Sequence, residues 1–383
     1  MADEAEERHA SWLELFFDLV FVLALTGITG RLSGPTLPTG SQIGIALGVY
    51  ALVQWSWVGQ AFFDARFDLD DVPHRLLVLV ATVGAGAEAL GTRQSIDSYL
   101  LPIGYLVVRG ALILAYLRVY LSDQPAREVV PVYLVGFGSG WLLWLASFAL
   151  PVMIRPIVWI AAFVVELLTP WVGYKPLVRH PVNISHFPER VGQFTIILLG
   201  STLSNLSEAV PTSNSPVRVI AAAGVAFVVP AAIWWVYSTF LTSRLAIPRL
   251  GSGRGYFLLH VPAGAAILFL GWALGRTLHR IGAGETELPL ALRLVLGASI
   301  VGWMLCGLGL QWFSLGSISR PRAVIVTAGA LSITLIALVV TDPALALILI
   351  AVVMIVYATA VSREISRRAV TSGPAADVGA ETD

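Results

Sequence analysis

The chain of 383 residues is 57% hydrophobic and only 13% charged, and its mean hydropathy is +0.80. Soluble globular domains carry about 25% charged residues, so this composition excludes an ordinary soluble domain and predicts a polytopic membrane protein. The formal net charge of zero indicates no nucleic-acid partner. The single cysteine, Cys306, excludes an intramolecular disulfide and paired-cysteine zinc or redox sites. We expect the lipid bilayer as a partner and no cofactor.

Twelve apolar segments follow one another along the chain, separated by charged or turn-rich breaks. A helix of about 20 apolar residues crosses the ~30 Å hydrocarbon layer, so we predict an all-α bundle of about twelve transmembrane helices. The break before the sixth segment is short, and eleven is the alternative count. The segments begin near Trp12, Ser41, His74, Ser98, Glu128, Pro151, Glu189, Pro216, Arg254, Leu288, Arg322 and Pro343.

The basic residues between these segments predict the orientation, because cytoplasmic loops retain Lys and Arg. Of the 24 basic residues, 16 fall on the side of the N-terminus and 6 on the opposite side. This bias predicts that both termini are cytoplasmic. The final stretch, 362–383, is rich in Ala, Gly and Thr without an apolar period, and we expect it to be a disordered cytoplasmic tail.

The first segment carries two acids, Glu14 and Asp18, which project from one helical face because they are four residues apart. Asp18 lies about 9 Å beyond Trp12 along a helix. An acid at that depth costs at least ~2.5 kcal/mol on insertion scales and often marks an ion or substrate path. The alternative is structural: Asp18 accepts hydrogen bonds from a neighbouring Arg, Trp or Tyr and holds the bundle together.

Two tryptophan-rich runs, 54–58 and 233–237, occupy comparable places in the second and eighth segments. Aligning Glu14 with Glu189 places Gln193 opposite Asp18. Six spans in each half would make the halves parallel repeats, an arrangement found in transporters. Interfacial tryptophans are the alternative explanation. The predicted regions are an N-terminal tail (1–11), two six-helix repeats (12–172 and 189–361) joined by a cytoplasmic connection (173–188), and the C-terminal tail (362–383).

Five polar residues are predicted at similar depth in the cytoplasmic half, which suggests a polar cavity that opens inward. Each has a simpler alternative. Glu166 stands five residues before Trp171, so we expect it to reach the interface; His260 is expected to be a hydrogen-bonded packing residue rather than a proton relay. The five residues are Asp18, Gln54, Glu166, Gln193 and His260.

Arg109 falls near the middle of the fourth segment, where a guanidinium cannot release its proton. It therefore requires an anion, and Asp18, Glu88 and Glu166 are the candidates. Removing one partner of such a buried pair costs several kcal/mol. Arg109 is equally a structural counter-ion and a ligand for an anionic substrate.

The sequence contains no complete residue pattern of a common catalytic or metal site. His186 and Glu189 have a metal-ligand spacing, but Pro188 lies between them and no second such pair exists, so we predict no metal site. The glycine-rich run 251–255 lacks the Gly-Lys-Ser/Thr ending of a phosphate loop. No nucleophile elbow is present in the sequence.

Four stretches resemble the low temperature requirement A (LtrA) family of bacterial membrane proteins. They are the Glu-Leu-Phe-Phe-Asp-Leu-Val-Phe-Val core of 14–22, the second helix running into Ala-Arg-Phe-Asp-Leu-Asp-Asp at 65–71, the His-Phe-Pro-Glu-Arg entry at 186–190, and the Trp-Trp-Val-Tyr run at 234–237. The resemblance implies a bacterial membrane protein and no particular reaction. Family members usually continue Leu-Gly-Glu where this chain has Leu199-Gly200-Ser201, so a mechanism that needs that acid lacks it here.

These observations favour a transporter or channel for an ion or small solute in the bacterial cytoplasmic membrane. The candidate binding residues are Glu14, Asp18, Gln54, Arg109, Glu166, Gln193 and His260, with Asp18 taking up a proton or cation. One alternative is an intramembrane enzyme that acts on a lipid-linked substrate, with Asp18 or Glu14 as base. The other is a membrane scaffold or sensor that transports nothing. The sequence leaves open whether the chain forms a homo-oligomer.

Overall fold

The computed structural model describes residues 11–34, 36–67, 69–94, 98–179, 182–183, 186–210, 217–243 and 254–371. Within these residues the chain forms thirteen α-helices, a 3-10 turn at Pro125–Glu128 and no strand. The helices are α1 (Trp12–Arg31), α2 (Gly40–Asp64), α3 (Val72–Gly91), α4 (Leu100–Ser122), α5 (Val130–Ser147), α6 (Arg155–Val172), α7 (Tyr174–Arg179), α8 (His186–Ala209), α9 (Val217–Thr242), α10 (Arg254–Gly282), α11 (Leu290–Leu315), α12 (Arg320–Val339) and α13 (Pro343–Thr371).

The twelve longer helices begin within four residues of the twelve predicted starts, and the predicted all-helical membrane bundle is confirmed. In the described part of the chain, ten of them are long and apolar enough to cross a membrane by length and composition. The two longer helices that do not meet these conditions are α2 and α8. Both are long enough to span, but they carry the polar residues Gln54, Ser56, Gln60, Arg190 and Gln193, some of which belong to the candidate site.

Polar residues at the helix starts explain where several helices begin, because they accept hydrogen bonds from the free N–H groups of the first turn. Ser11 and Glu14 form a reciprocal capping box at the start of α1. Thr39 and Gln42 form another at the start of α2. Asp71 caps α3 by accepting the backbone N–H of His74 at 3.1 Å. These local signals place the helix ends independently of tertiary packing.

The described residues separate into two compact units. The first comprises those of Met1–Ser201 and Gly251–Phe257. In it α3 packs along α4, α5 along α6, and α1 against both α2 and α3. The second half of α2 is enclosed, since every residue from Leu52 to Ala61 is buried. This enclosure explains how α2 tolerates polar side chains that would be costly against lipid.

The second unit comprises the described residues of Thr202–Leu250 and Leu258–Asp383. Its helix α9 packs along α13, and α12 packs against both α11 and α13. Trp234 and Trp235 are 49% and 57% exposed, whereas Trp55 and Trp57 of the first unit are 7% and 0% exposed. The two tryptophan-rich runs therefore have different surroundings, and the parallel six-helix repeat stays a prediction.

The predicted tails and connection differ from the structure in part. The helix α13 continues to Thr371, ten residues past the predicted end at 361, so 362–371 is helical rather than disordered. Glu364 contributes to this extension, because Arg368 pairs with it at 2.5 Å one turn later. The connection 173–188 contains α7 and the start of α8. Residues 1–10 and 372–383 of the tails lie outside the described residues.

Candidate functional site

The enclosed helix α2 donates hydrogen bonds to buried carboxylates on three other helices. Its donors are three consecutive residues, which point in directions about 100° apart because a helix has 3.6 residues per turn. Each donor therefore meets an acid on a different neighbour. The pairs are Trp55 Nε1 to Glu166 Oε2 of α6 (3.2 Å), Ser56 Oγ to Glu88 Oε1 of α3 (2.7 Å) and Trp57 Nε1 to Asp18 Oδ1 of α1 (2.7 Å).

Asp18 forms a two-pronged ion pair with Arg190 of α8. Arg190 Nη1 lies 2.8 Å from Asp18 Oδ2, and Nη2 lies 3.1 Å from Oδ1. The exposed fraction is 0% for Arg190 and 4% for Asp18. Parallel N–H···O bonds of this kind combine charge attraction with fixed geometry. The structural alternative stated for Asp18, an Arg and a Trp as partners, describes its contacts correctly.

Glu14 is a second acid within reach of the same guanidinium. Its Oε2 atom lies 3.8 Å from Arg190 Nε, and it also accepts the backbone N–H of Ser11 at 3.2 Å. Glu14 is 6% exposed and is therefore buried, like Asp18. One buried cation thus faces two carboxylates that stand one helical turn apart on α1.

Arg190 is a site residue that the sequence patterns did not indicate. The sequence pattern counted it among the loop residues that set the orientation, whereas the structure places it inside α8, as the fifth residue of that helix. Its Nη1 donates to Gln193 Oε1 at 2.7 Å, and its guanidinium carbon lies 5.6 Å from the Trp57 ring centroid. The available signal was the position of Arg190 three residues before Gln193, on the same helical face. Without Arg190 the basic-residue bias becomes 15 to 6.

A second buried ion pair joins Arg109 of α4 to Glu166 of α6. Arg109 Nε lies 2.8 Å from Glu166 Oε2, and both side chains are 0% exposed. Tyr105 connects them further, since its hydroxyl donates to Glu166 at 2.7 Å and accepts from Arg109 Nη2 at 3.0 Å. The Phe137 ring lies 4.5 Å from the guanidinium carbon. The expectation that Glu166 reaches the interface was therefore wrong, because its direction around α6 turns it toward Arg109.

Two glycines create the space that this second ion pair occupies. A Cβ atom on Gly140 of α5 would lie 2.5 Å from Glu166 Cγ, and a Cβ on Gly59 of α2 would lie 2.4 Å from Arg109 Nη1. Real Cβ atoms do not approach other atoms so closely. Close contact of this kind is a usual role of small residues in membrane helices. The pair depends on both glycines.

Glu88 of α3 completes the ring of acids around α2. It is 0% exposed, and its Oε1 accepts from Ser56. Its Oε2 has no hydrogen-bond partner among the described residues. A buried carboxylate oxygen without a donor is costly, so Glu88 is less completely satisfied than Asp18.

The two other candidates are Gln54 and His260. Gln54 is 2% exposed, and its Oε1 finds no hydrogen-bond partner within the described residues. His260 belongs to the second unit. It is 5% exposed, and its Nε2 lies 3.0 Å from the Tyr237 hydroxyl. The expected role of His260 as a hydrogen-bonded packing residue agrees with this contact.

The structure thus brings Glu14, Asp18 and Gln193 together around Arg190, and Arg109 together with Glu166, all within the first unit. A described cavity of about 440 Å³ in that unit is lined by none of the seven candidate residues. Among the described residues, no group of three His, Cys, Asp or Glu side chains is placed to hold a metal ion. The chemistry available at the site is ion pairing and proton uptake by carboxylates.

Comparison with known proteins identifies the family. The chain matches the family described as bacterial low temperature requirement A protein (LtrA) over residues 9–359. This chain belongs to the LtrA family. The match covers nearly the whole chain and confirms the resemblance seen in the sequence motifs.

This LtrA protein is also similar to a protein of Rhizobium meliloti (strain 1021), which is described as uncharacterized. The two are 26% identical over 253 residues, a region that covers 61% of this chain and 59% of the relative. The relative's description names no activity. At the position where the family resemblance implies an acid, Ser201 is 1% exposed and donates to the carbonyl of Leu198 at 2.8 Å.

Proposed function

We propose that this LtrA protein is a transporter or channel that moves an ion or small solute across the bacterial cytoplasmic membrane. The observation that carries the proposal is the placement of one buried cation, Arg190, between two acids of α1. The cation lies 2.8 Å from Asp18 and 3.8 Å from Glu14. Ionisable residues inside a membrane bundle are candidates for ion and substrate paths by default.

The pair offers a physical route to coupling. When Asp18 takes up a proton or another cation, its attraction for Arg190 falls, and Glu14 becomes the stronger partner of the guanidinium. The movement of Arg190 by one helical turn along α1 would shift α8 against α1. A ligand drives such a change only through its different affinity for the two arrangements. Protonation of Asp18 supplies that difference, because it removes the charge that holds Arg190.

The test is ion flux in proteoliposomes that contain the purified protein and a pH-sensitive dye. Gradients of protons, K⁺, Na⁺ and a panel of small solutes would be imposed in turn. We expect the wild type to move a proton or cation in at least one condition, Asp18→Asn to abolish that flux, and Asp18→Glu to retain part of it. Asp70→Asn is the matched control, because the Asp70 side chain is 71% exposed.

Two results would overturn the proposal. One is a wild type that moves nothing under any gradient although it elutes as a folded, monodisperse protein. The other is an Asp18→Asn variant that transports as fast as the wild type. The first result would favour a scaffold or sensor. An intramembrane enzyme stays a hypothesis that no observation favours, since Trp57 and Arg190 already engage both oxygens of Asp18.

The orientation belongs to the same proposal. We expect both termini in the cytoplasm, because the basic-residue bias persists at 15 to 6 after Arg190 is removed from the count. Reporter fusions at the C-terminus test it: a cytoplasmic reporter should be active and a periplasmic reporter inactive. The opposite result would mean an odd number of spans, which would remove the parallel repeat, or an inverted bundle, which would overturn the predicted orientation.

A further inference from the structure

The first unit contains a groove that none of the buried acids lines. It has a volume of about 440 Å³, and it is lined by the first parts of α2, α4 and α6 and the last parts of α1, α3 and α5. Its lining residues include the apolar Leu52, Trp144 and Phe163 and the basic Arg31. Sites of 300–1,000 Å³ with mostly apolar walls and few polar groups are typical of ligand pockets.

The groove is open because α2 presents glycine along it. A Cβ atom added at Gly44 or Gly48 would meet no atom within 4 Å. Glycines of membrane helices usually allow another helix to approach closely. At these two positions no part of the described chain fills the space that the missing side chains leave. The small residues therefore form a trough rather than a helix contact.

The length and position of the groove fit one acyl chain. Its lining on α2 runs from Ser41 to Leu52, which is about 16 Å along a helix axis. Half of the ~30 Å hydrocarbon layer is about 15 Å, the depth of one leaflet. Arg31 is the last residue of α1, so the open end of the groove lies where lipid headgroups begin.

The polar groups of the groove match the head of an anionic lipid. Arg31 Nη1 donates to the backbone carbonyls of Thr92 at 2.9 Å and Gln94 at 2.5 Å, which fixes the guanidinium beside the groove. No carboxylate pairs with Arg31 within the described ranges. A guanidinium without an acidic partner is free to attract an anion.

We propose that this groove binds one acyl chain of an anionic phospholipid from the adjoining leaflet, with the lipid phosphate held by Arg31. The site is independent of the proposed transport role. The chain fills the trough over Gly44 and Gly48. Guanidinium groups recognise phosphate through paired N–H donors, which makes Arg31 suited to the headgroup.

The test uses photo-crosslinking in liposomes. Phosphatidylglycerol and phosphatidylcholine, each with a diazirine on one acyl chain, are compared at equal content, and crosslinked peptides are mapped. We expect wild-type crosslinks on the first half of α2 and on α6, with a severalfold preference for phosphatidylglycerol. Gly48→Leu should fill the trough and lower these crosslinks severalfold for both lipids, and Gly44→Leu serves as a second filling variant if the first fails to fold.

Matched controls distinguish binding of the acyl chain from recognition of the lipid headgroup. Gly86→Leu adds the same side chain to α3 at another open position outside the groove, and its crosslinking should equal that of the wild type. Arg31→Gln should abolish the preference for phosphatidylglycerol, and Arg31→Lys should retain part of it. Equal crosslinking of folded Gly48→Leu and Gly86→Leu, or equal yields for the two lipids on the wild type, would overturn the proposal.

Discussion

Arg190 and Asp18 form a buried ion pair although 172 positions separate them in the chain. The two side chains are almost fully enclosed, so neither charge has water as an alternative partner. Removing one member of such a pair leaves the other charge buried and uncompensated, which costs about 3–5 kcal/mol. The pair is therefore the place where α1 and α8 are most sensitive to substitution.

A double-mutant cycle on this pair tests that dependence. We expect Asp18→Asn and Arg190→Gln each to lower the free energy of unfolding by about 3–5 kcal/mol. The double variant should cost clearly less than the sum, because it removes both charges together. Unfolding in detergent, followed by thermal or denaturant titration, measures each variant. Additive losses would contradict a direct interaction.

The hydrogen bond from Trp57 to Asp18 is tested by a pair of identical substitutions. Trp57→Phe removes an indole N–H that donates at 2.7 Å, whereas Trp144→Phe removes one without an acceptor in the described residues. Both rings are at most 1% exposed, so the lost volume is similar. We expect Trp57→Phe to be the more destabilising by about 1.5–3 kcal/mol, the usual contribution of a hydrogen bond to a charged group. Equal unfolding midpoints would show that Trp57 acts only by packing.

Alanine substitutions of two glycines on α5 test whether the second ion pair needs the space beside Gly140. Gly140→Ala places a Cβ 2.5 Å from Glu166 Cγ, whereas Gly138→Ala meets no atom within 4 Å. We expect Gly140→Ala to destabilise the protein by about 1–3 kcal/mol through overpacking. Gly138→Ala should be neutral or stabilising by up to about 1 kcal/mol, because alanine favours the helix. Melting temperatures of the two variants decide the point, and a reversed order would argue against the tight contact.

The cap of α3 should make stability depend on pH outside the membrane segments. The His74 backbone N–H, and next the Arg118 side chain, hold the pKa of Asp71 below its ordinary value. A lowered folded pKa means that Asp71 contributes stability above the unfolded pKa of about 3.9, and that the contribution is lost as pH falls through the folded pKa. The stability difference between wild type and Asp71→Asn should therefore shrink between about pH 5 and pH 3. A difference that stays constant over this range would contradict a role for the charge.

The sequence predicted the helices well because their signals are local. Apolar length and caps such as those of Ser11 and Thr39 depend on a few neighbouring residues, so the twelve starts were predicted within four residues. The free-energy cost of placing Asp18 in the membrane also follows from its depth alone, and the requirement of Arg109 for an acidic partner follows from its permanent charge. These inferences required no knowledge of which helices are neighbours.

Which buried charged side chains pair with one another could not be predicted in the same way. Glu166 and Trp171 are close along α6, but the direction of Glu166 around the helix, not its depth, brings it to Arg109. Arg190 resembled an ordinary basic loop residue after Pro188 and Glu189, because a charge count does not distinguish a loop from a buried position near the start of a helix. Both errors come from lateral packing between helices, on which a single sequence carries little information.

The enclosure of α2 has a consequence for how the protein enters the membrane. The insertion machinery releases segments into lipid according to their apolarity, and α2 is one of the two long helices that fall short in this respect. Trp57 of α2 and Asp18 of α1 satisfy one another only when both helices are present. We therefore expect α2 to leave the translocon as a hairpin with α1, so that the order of synthesis protects the acids before the bundle closes.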